Sequence, residues 1–276
     1  MKKKLKNNGA GVRFLYSTAP GRMLLLMIQK LHADRLAVLY LRSRRSRRFA
    51  ARYARKNGIA LSREDRQRYR SFRDFFARER EGVEIDLDPT HLISPCDGYL
   101  SAYEIRPDSS FSIKNSHYSV KDLLEDEELA SRYEGGICLV FRLCASDYHH
   151  YCYIDDCRVG RSHFIPGKLH SVQPIACEKY PVFVLNRRSW CLMETENFGP
   201  VVQTEIGALI VGGIVNHDED ALVRRGAEKG RFELAGSTIV LLFEPGRVSL
   251  RPELGDIMLS GREARVEQGM WIGSGR

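Results

Sequence analysis

The spacing of apolar residues along the chain changes once, between residues 82 and 92. This change constrains the possible folds more than any other feature of the sequence. Residues 20–80 are rich in Arg, Leu and Ala and are predicted to form two or three helices. From about residue 92 onward, short β-branched and aromatic runs alternate with Gly, Pro and Asn turns. We therefore predict an α+β fold with a mostly antiparallel β core, a basic helical region over residues 1–82 and a β-rich domain over residues 92–276.

Individual elements follow from the same patterns. One more polar helix is predicted over residues 121–132, and a helix start is predicted at Ser62-Arg63-Glu64-Asp65. Runs rich in β-branched and aromatic residues are predicted to be strands: 98–105, 136–143, 151–154, 181–185, 190–194, 201–211, 237–243 and 247–250.

Charge is divided unevenly between the two regions. Residues 1–80 contain 23 Lys and Arg against 5 Asp and Glu, whereas the rest of the chain contains 20 against 30. A basic segment on a mildly acidic body predicts an anionic partner, either nucleic acid or lipid. Apolar residues at 23–28 and 36–41 are interleaved with the basic ones, and no sequence-specific nucleic-acid motif accompanies the arginines. Both observations favour an anionic membrane and no nucleic acid.

The apolar stretch is too interrupted to cross a bilayer. Lys30, His32, Asp34 and Arg35 divide it, and a spanning helix needs about 18 apolar residues in succession. We predict that the basic helical segment docks on the membrane surface. The alternative is a set of amphipathic helices packed on the protein's own core.

Cysteine usage and the N-terminus predict the compartment. Seven cysteines, without Cys-x-x-Cys spacing, argue against a disulfide framework and a structural zinc site. The first residues are basic, as in a signal peptide, but no long apolar region and no small-residue cleavage site follow. Together these features predict a peripheral protein on the cytoplasmic face of the cell membrane.

The tripeptide Gly236-Ser237-Thr238 lies between two apolar runs. A serine hydroxyl can attack the preceding carbonyl only where that peptide is bent and uncrowded, which a glycine permits. The tripeptide is therefore a candidate site of self-cleavage, between residues 236 and 237. Taken alone, it is more typical of a turn that connects two strands.

Upstream segments carry the other groups that such a cleavage needs. Ser94-Pro95-Cys96-Asp97-Gly98 places a carboxylate in a turn, Asp147-Tyr148-His149 places an imidazole after an apolar strand, and Pro166-Gly167 opens a loop. Each is also ordinary by itself, because Asp-Gly is a common turn and a histidine often ends a strand. Their order along the chain is what makes them informative.

Together with Gly236-Ser237-Thr238, these segments resemble the phosphatidylserine decarboxylase family, from about residue 70 to the C-terminus. The family's Phe-Phe-x-Arg segment resembles residues 71–78. Further marks of the family are Pro166-Gly167 before Ser171-Val172, and Asn186-Arg187-Arg188 before Glu194-Thr195-Glu196-Asn197-Phe198-Gly199.

The resemblance implies a carboxy-lyase made as a proenzyme, with residues 92–276 as its catalytic domain. Ser237 would attack Gly236 and become a pyruvoyl group, which leaves two associated chains, 1–236 and 237–276. This covalent pyruvoyl cofactor would form a Schiff base with phosphatidylserine in an anionic membrane and accept the electrons released with carbon dioxide, so that phosphatidylethanolamine is formed. No metal is expected, and a homo-oligomer is left open.

Serine is a weak nucleophile that needs a base with an orienting partner. The resemblance assigns Asp97, His149 and Ser237 to this set, and it also gives His149 the role of proton donor or positioning group in the decarboxylation. One position departs from the family, because the second histidine expected three residues after the first is Cys152 here. An additional histidine, His150, follows His149 directly.

The base of the self-cleavage is therefore open among three alternatives. His149 serves both steps, the Cys152 thiolate takes the proton, or the second role is vacant. If this segment is extended, His149 and Tyr151 face one side while His150 and Cys152 face the other, so His150 does not simply replace the missing histidine.

Two other functions are compatible with parts of the pattern. A pyruvoyl-dependent decarboxylase of a soluble amino acid would need no basic, apolar docking segment. The second is a non-catalytic, unprocessed membrane-binding relative, and the presence of Gly236, Ser237 and Asp97 argues against it.

Overall fold

A computed structural model of the chain describes residues 9–31, 33–59, 68–113, 116–144, 146–168, 170–208, 213–234, 237–260 and 262–276. The described part is a mixed α+β structure in which every paired strand is antiparallel to its neighbour. One isolated parallel bridge joins Lys168 to Asn186. The predicted fold class, α+β with a mostly antiparallel β core, is thus confirmed.

The helices of the described ranges are concentrated before residue 80. They are α1 (Ala10–Ser17), α2 (Ala19–Lys30), α3 (Ala33–Arg42), a 3-10 turn (Arg44–Ser46), α4 (Arg47–Asn57), α5 (Phe72–Phe76), α6 (Val120–Leu124), α7 (Glu127–Ser131), α8 (Pro174–Cys177), α9 (Val182–Leu185) and α10 (Pro252–Leu259). None of these helices combines the length and the apolar character that crossing a membrane requires.

The strands are mostly short. They are β1 (His91–Ile93), β2 (Gly98–Glu104), β3 (Ser110–Ile113), β4 (Ser116–Ser119), β5 (Ile137–Leu143), β6 (His150–Cys152), β7 (Cys157–Val159), β8 (His163–Ile165), β9 (Arg188–Thr195), β10 (Gly199–Ile206), β11 (Ile214–Asn216), β12 (Ala221–Val223), β13 (Glu228–Phe232), β14 (Ser237–Phe243), β15 (Val248–Leu250), β16 (Ala264–Val266) and β17 (Trp271–Gly275).

The main sheet has the strand order β12-β7-β9-β10-β14-β5-β2-β16, and β8 also pairs with β9. Strand β14 lies between β10 and β5, and all of its residues are buried. Because side chains alternate along a strand, Ile239 and Leu241 join one apolar core while Val240 and Leu242 join the other. The sheet is thus covered on both faces. Two smaller sheets, β1-β17-β15 and β11-β13-β6, and a hairpin, β3-β4, complete the described strands.

The N-terminal helices pack against both faces of the main sheet. Ala54 of α4 and Phe75 of α5 belong to the same core as Ile239, whereas Tyr16 of α1 and Leu25 of α2 belong to the core of Val240. The boundary expected between residues 82 and 92 stays a prediction.

Three predicted elements differ from the structure in their type, number or length. Residues 181–185 were expected to form a strand but contain α9, in which the Asn186 N–H donates to the Val182 carbonyl at 2.9 Å. A short apolar run does not distinguish a strand from a buried helical turn by its period. The single helix expected over 121–132 is two helices, separated at Glu125, whose φ of 55° ends α6. The strand predicted over 201–211 is too long, because β10 ends at Ile206 and the described residues 207 and 208 belong to no strand, while residues 209–211 lie outside the described residues. The start predicted at Ser62-Arg63-Glu64-Asp65 also lies outside the described residues.

Arg188 connects the main sheet to two of the short helices. Its side chain is almost fully buried at the start of β9. The guanidinium donates to the carbonyls of Leu123 at 2.6 Å, Val184 at 2.7 Å and Asp122 at 2.7 Å. The last Arg of the Asn186-Arg187-Arg188 motif is therefore a structural residue that satisfies carbonyls of α6 and α9.

Replacing Arg188 with Lys should destabilise the fold, because an ammonium does not reproduce the planar fork that reaches these carbonyls. We expect the free energy of unfolding, measured by urea denaturation, to fall by about 3 kcal/mol, since buried acceptors lose their donors. Arg158, which is exposed on β7, provides the control, and Arg158→Lys should change the free energy by less than about 0.5 kcal/mol. Equal stability of the two variants would contradict this role of Arg188.

Candidate active site

Three strands of the main sheet end at the same edge and bring the predicted site segments together. Strand β2 starts at Gly98, β5 ends at Leu143, and β14 starts at Ser237. Leu143 lies opposite Ser237 in the register. Gly98 lies against the same end of β5, because a Cβ on it would be 3.6 Å from the Leu143 backbone nitrogen. Asp97, which precedes Gly98, therefore lies at the edge where β14 begins.

The Ser237 side chain is fully buried at this edge. Its hydroxyl has no hydrogen-bond partner among the residues that the structure describes. A buried hydroxyl left unpaired costs about 1–3 kcal/mol, and such groups are frequent where a site is built for chemistry. The predicted cleavage partner, Gly236, lies outside the described residues, together with Ala235.

His149 is buried in the loop between β5 and β6, beside two aromatic rings. Its ring centroid lies 4.3 Å from that of Phe76 and 6.5 Å from that of Phe232. Its Nδ1 lies 2.9 Å from the Asp147 carbonyl oxygen. A carbonyl only accepts, so Nδ1 carries the proton and Nε2 keeps its lone pair. Nε2 is buried and has no partner within the described ranges.

The protonation state of His149 follows from its surroundings. Burial lowers the pKa of His149 to about 3, because a charged imidazolium loses its hydration there. The hydrogen bond to Asp147 opposes this lowering, and the positive charge of Arg78 adds to it. At neutral pH the imidazole is therefore uncharged, with a free lone pair that is able to accept a proton.

Asp97 is held by groups other than His149. Arg80 donates to both of its carboxylate oxygens, at 2.7 and 3.1 Å, and the Gln268 backbone N–H donates to Oδ1 at 2.9 Å. The Nδ1 of His149 is bound to Asp147, so the structure contains no direct hydrogen bond between Asp97 and that nitrogen. Asp97 acts on the imidazole through its negative charge, which opposes the lowering of the His149 pKa.

Arg80 and Gln268 did not emerge from the sequence as site residues. Arg80 follows the Phe-Phe-x-Arg segment and carries no motif of its own. Gln268 is 171 residues from Asp97, and no local pattern marks it. Only the tertiary fold identifies the two residues.

Burial shifts the pKa of Cys152 in the opposite direction to that of His149. Its side chain is fully buried, with Sγ 3.9 Å from the Ser94 carbonyl oxygen. Burial raises the pKa of Cys152 to about 12, because the thiolate is the charged form of this group. The thiol therefore stays protonated at neutral pH.

His150 faces away from the His149 ring. Its own ring stacks on that of Tyr148, its Nε2 lies 3.2 Å from the Ala77 carbonyl oxygen, and its Nδ1 lies 3.1 Å from Glu228. His149 and Tyr151, in contrast, both lie beside Phe232. This is the alternation expected of an extended segment.

A buried serine at the start of a strand, with a neutral imidazole and a carboxylate near the same sheet edge, is the set of groups required by an enzyme with a serine nucleophile. Comparison with known proteins gives the particular class. The family model for phosphatidylserine decarboxylase matches residues 72–273. The chain belongs to this family of carboxy-lyases, and the resemblance predicted from its motifs is confirmed.

Relatives match over nearly the whole chain. A Clostridium acetobutylicum protein named phosphatidylserine decarboxylase proenzyme 2 is 39% identical over 265 residues, which cover 95% of this chain and 91% of the relative. A phosphatidylserine decarboxylase proenzyme of Desulfitobacterium hafniense is 36% identical over 270 residues, with the same two coverages. One from Clostridium botulinum is 33% identical over 276 residues, 96% of this chain and 94% of the relative. The roles of individual site residues stay predictions.

Self-processing is expected to depend on His149 and not on Cys152. His149→Ala should accumulate the full-length chain, whereas Cys152→Ser should be processed at close to the wild-type rate. The wild-type rate should vary little between about pH 5 and about pH 8, because a base whose pKa is about 3 is already unprotonated there. A time course of the precursor on denaturing gels measures both effects.

A thiolate base would behave differently. With a pKa of about 12 for Cys152, the processing rate would rise about tenfold per pH unit through this range. That rise, together with a stalled Cys152→Ser variant and a normally processed His149→Ala variant, would show that the assignment is wrong.

Proposed function

We propose that the chain is a phosphatidylserine decarboxylase proenzyme that cleaves itself between Gly236 and Ser237 and converts phosphatidylserine to phosphatidylethanolamine. The observation that carries the proposal is the buried, unpartnered Ser237 hydroxyl, which lies at the sheet edge shared with Asp97 and the loop of His149. Family membership supplies the reaction, since relatives that cover 95% of the chain are named proenzymes of this activity.

In the self-cleavage, the Ser237 Oγ would attack the Gly236 carbonyl carbon while the neutral His149 accepts the hydroxyl proton at Nε2. The acyl group then moves from the amide nitrogen to the serine oxygen, and the nitrogen takes the proton from His149 and becomes an amine, which leaves an ester. Elimination of this ester would release the chain that ends in the Gly236 carboxylate and leave a dehydroalanine at position 237, which water hydrolyses to the pyruvoyl group and ammonia. Asp147 would keep the imidazole in the required tautomer through its backbone carbonyl. Asp97 would favour the imidazolium through its charge, and Arg80 and Gln268 would hold that carboxylate in place.

A pyruvoyl group at position 237 fits the chemistry of this site. Such a ketone supplies an electron sink for decarboxylation, the role that pyridoxal phosphate has in other enzymes. An orphaned polar atom already stands at this position, and the Ser237 side chain is fully buried. In the second reaction the His149 Nε2 would position the substrate through its lone pair, or would donate a proton that it has first accepted.

The two chains would stay associated after the cut. Residues 237–276 contain β14 to β17. Of these strands, β14 pairs with β5 and β10, β16 with β2 and β17 with β1 of the larger chain. All residues of β14 are buried between its two neighbours. Cleavage removes one covalent connection and leaves these ladders intact.

The membrane-docking role of the basic helical segment is part of this proposal. On α2 and α3, Leu26 is 63% exposed, Leu36 70% and Leu39 63%, although other residues of these helices contact the cores. Large exposed apolar surfaces mark protein or membrane interaction sites, and arginines flank these exposed leucines in the sequence. An anionic membrane that contains the substrate satisfies both features, and a soluble amino acid as substrate explains neither.

The purified wild-type protein should consist of two fragments, 1–236 and a blocked 237–276. Ser237→Ala should give a single full-length chain without activity, because it removes the nucleophile. Intact mass measures both, and Ser249→Ala, a serine of β15, is the control that should be processed normally. A wild-type chain that stays uncut and still decarboxylates phosphatidylserine would contradict the proposal, and a preference for free serine would favour the soluble-substrate alternative.

Liposome binding should depend on the exposed leucines of α2 and α3. The double variant Leu26→Glu, Leu39→Glu should reduce co-sedimentation with phosphatidylserine vesicles at least about tenfold, since it removes apolar burial and adds repulsion from anionic lipid. Leu222→Glu, at a position 81% exposed on β12, is the matched control and should bind like the wild type. Equal binding of all three proteins would place the lipid contact elsewhere.

A further inference from the structure

Glu233 connects the N-terminal helices to the segment that precedes the predicted cut. Its side chain is 9% exposed and lies between two arginines. Arg42, the last residue of α3, donates to Oε2 at 3.1 Å, and Arg73 of α5 donates to Oε1. We call this carboxylate with its two guanidinium groups the Glu233 clamp. Neither the motifs nor the proposed mechanism uses it.

The backbone around Glu233 is fixed as well. The Glu233 N–H donates to the Gly213 carbonyl at 2.9 Å, and the preceding Phe232 N–H donates to the His149 carbonyl at 2.9 Å. At the other end, Ser237 is held in the ladder opposite Leu143. Residues 234–236 therefore bridge two anchored points, and the scissile bond is the last link of this short bridge.

Such anchoring matters for the acyl shift. Attack requires the Ser237 Oγ and the Gly236 carbonyl carbon to meet in a narrow geometry, and fixing two reacting groups in place supplies much of the rate of an intramolecular reaction. The two described residues that flank the scissile segment are both anchored: Ser237 by the ladder of β14, and Glu233 by its two arginines and its backbone hydrogen bond.

We propose that the Glu233 clamp positions the scissile segment for self-cleavage, so that the N-terminal helices take part in processing. Glu233 is a positioning residue in this inference, because it acts through the three residues that follow it. The inference rests on the proposed function. After the cut, the same contacts would hold the larger chain three residues before its terminal Gly236.

A second carboxylate in the chain provides a matched control. Glu244 also lies between two arginines, with Arg132 at 3.0 Å and Arg247 at 3.3 Å, and its side chain is 18% exposed. It follows the far end of β14, seven residues after Ser237. Removing its charge also disrupts a double ion pair, but at the opposite end of the same strand.

The experiment compares the rates at which Glu233→Gln, Glu244→Gln and the wild-type chain are processed after synthesis. Glu233→Gln should be processed at least about tenfold more slowly, and Glu244→Gln at the wild-type rate. Arg73→Ala should also slow processing and should add little in the double variant with Glu233→Gln, because both changes remove the same contact. Equal rates for Glu233→Gln and the wild type, or equal slowing by Glu244→Gln, would overturn the inference.

Two further measurements separate positioning from a general loss of stability. In the uncut Ser237→Ala background, Glu233→Gln should shift the thermal midpoint no more than Glu244→Gln does. Hydroxylamine, which cleaves esters, should release little fragment from the Glu233→Gln precursor, because the slowed step precedes the ester. Slowing that parallels a lowered thermal midpoint, or a precursor rich in hydroxylamine-sensitive ester, would refute positioning of the attack. A wild-type chain that is never cut refutes the proposed function itself, so the two failures are distinguishable.

Discussion

The pairing of β14 with β5 and β10 is the interaction on which the rest of the structure depends. This strand is buried along its whole length and separates the two apolar cores. The ladder extends to its first residue, where Ser237 lies opposite Leu143 and Thr238 lies opposite Ile206. Ser237 is thus fixed by backbone hydrogen bonds although it adjoins a predicted break in the chain. The predicted nucleophile is placed in this way on a rigid strand, and the peptide bond that we propose is cut directly precedes it in the sequence.

The burial that this arrangement imposes has opposite consequences for the two candidate bases. Desolvation disfavours whichever form of a group is charged. For His149 the disfavoured form is the imidazolium, so burial leaves a neutral ring with a free lone pair. For Cys152 the disfavoured form is the thiolate, so burial leaves a protonated thiol. The same apolar environment leaves the histidine unprotonated and the cysteine protonated at neutral pH, and this supports His149 over Cys152 as the base in the proposed mechanism.

Sequence patterns predicted the long central strands better than the connections between them. Both ends of β2, β5 and β14 and the start of β10 were expected within one or two residues, because buried strands are dense in β-branched and aromatic residues, whereas β10 was predicted to extend beyond its end at Ile206. The turn α9 was missed, since four apolar residues suit a buried helical turn as well as a strand. In the site, Ser237 and His149 have local motifs. Arg80 and Gln268 can be identified only from the fold, which brings them into contact with Asp97. Sequence motifs describe local spacing and do not predict contacts between distant segments.

The N-terminal helices contact both the apolar cores and the residue Glu233, and they also carry exposed leucines. They expose leucines on one side, while Tyr16 and Leu25 are buried in a core on the other. Arg42 ends α3 in contact with Glu233, so a helix of the predicted docking surface also touches the strand end that leads to residue 236. An element that packs on the core, presents apolar side chains outward and holds a buried carboxylate cannot shift without affecting all three contacts. In the proposed processing, the segment that follows Glu233 would therefore be coupled to the helices that would meet the membrane, even though more than 190 residues of sequence separate Arg42 from Glu233.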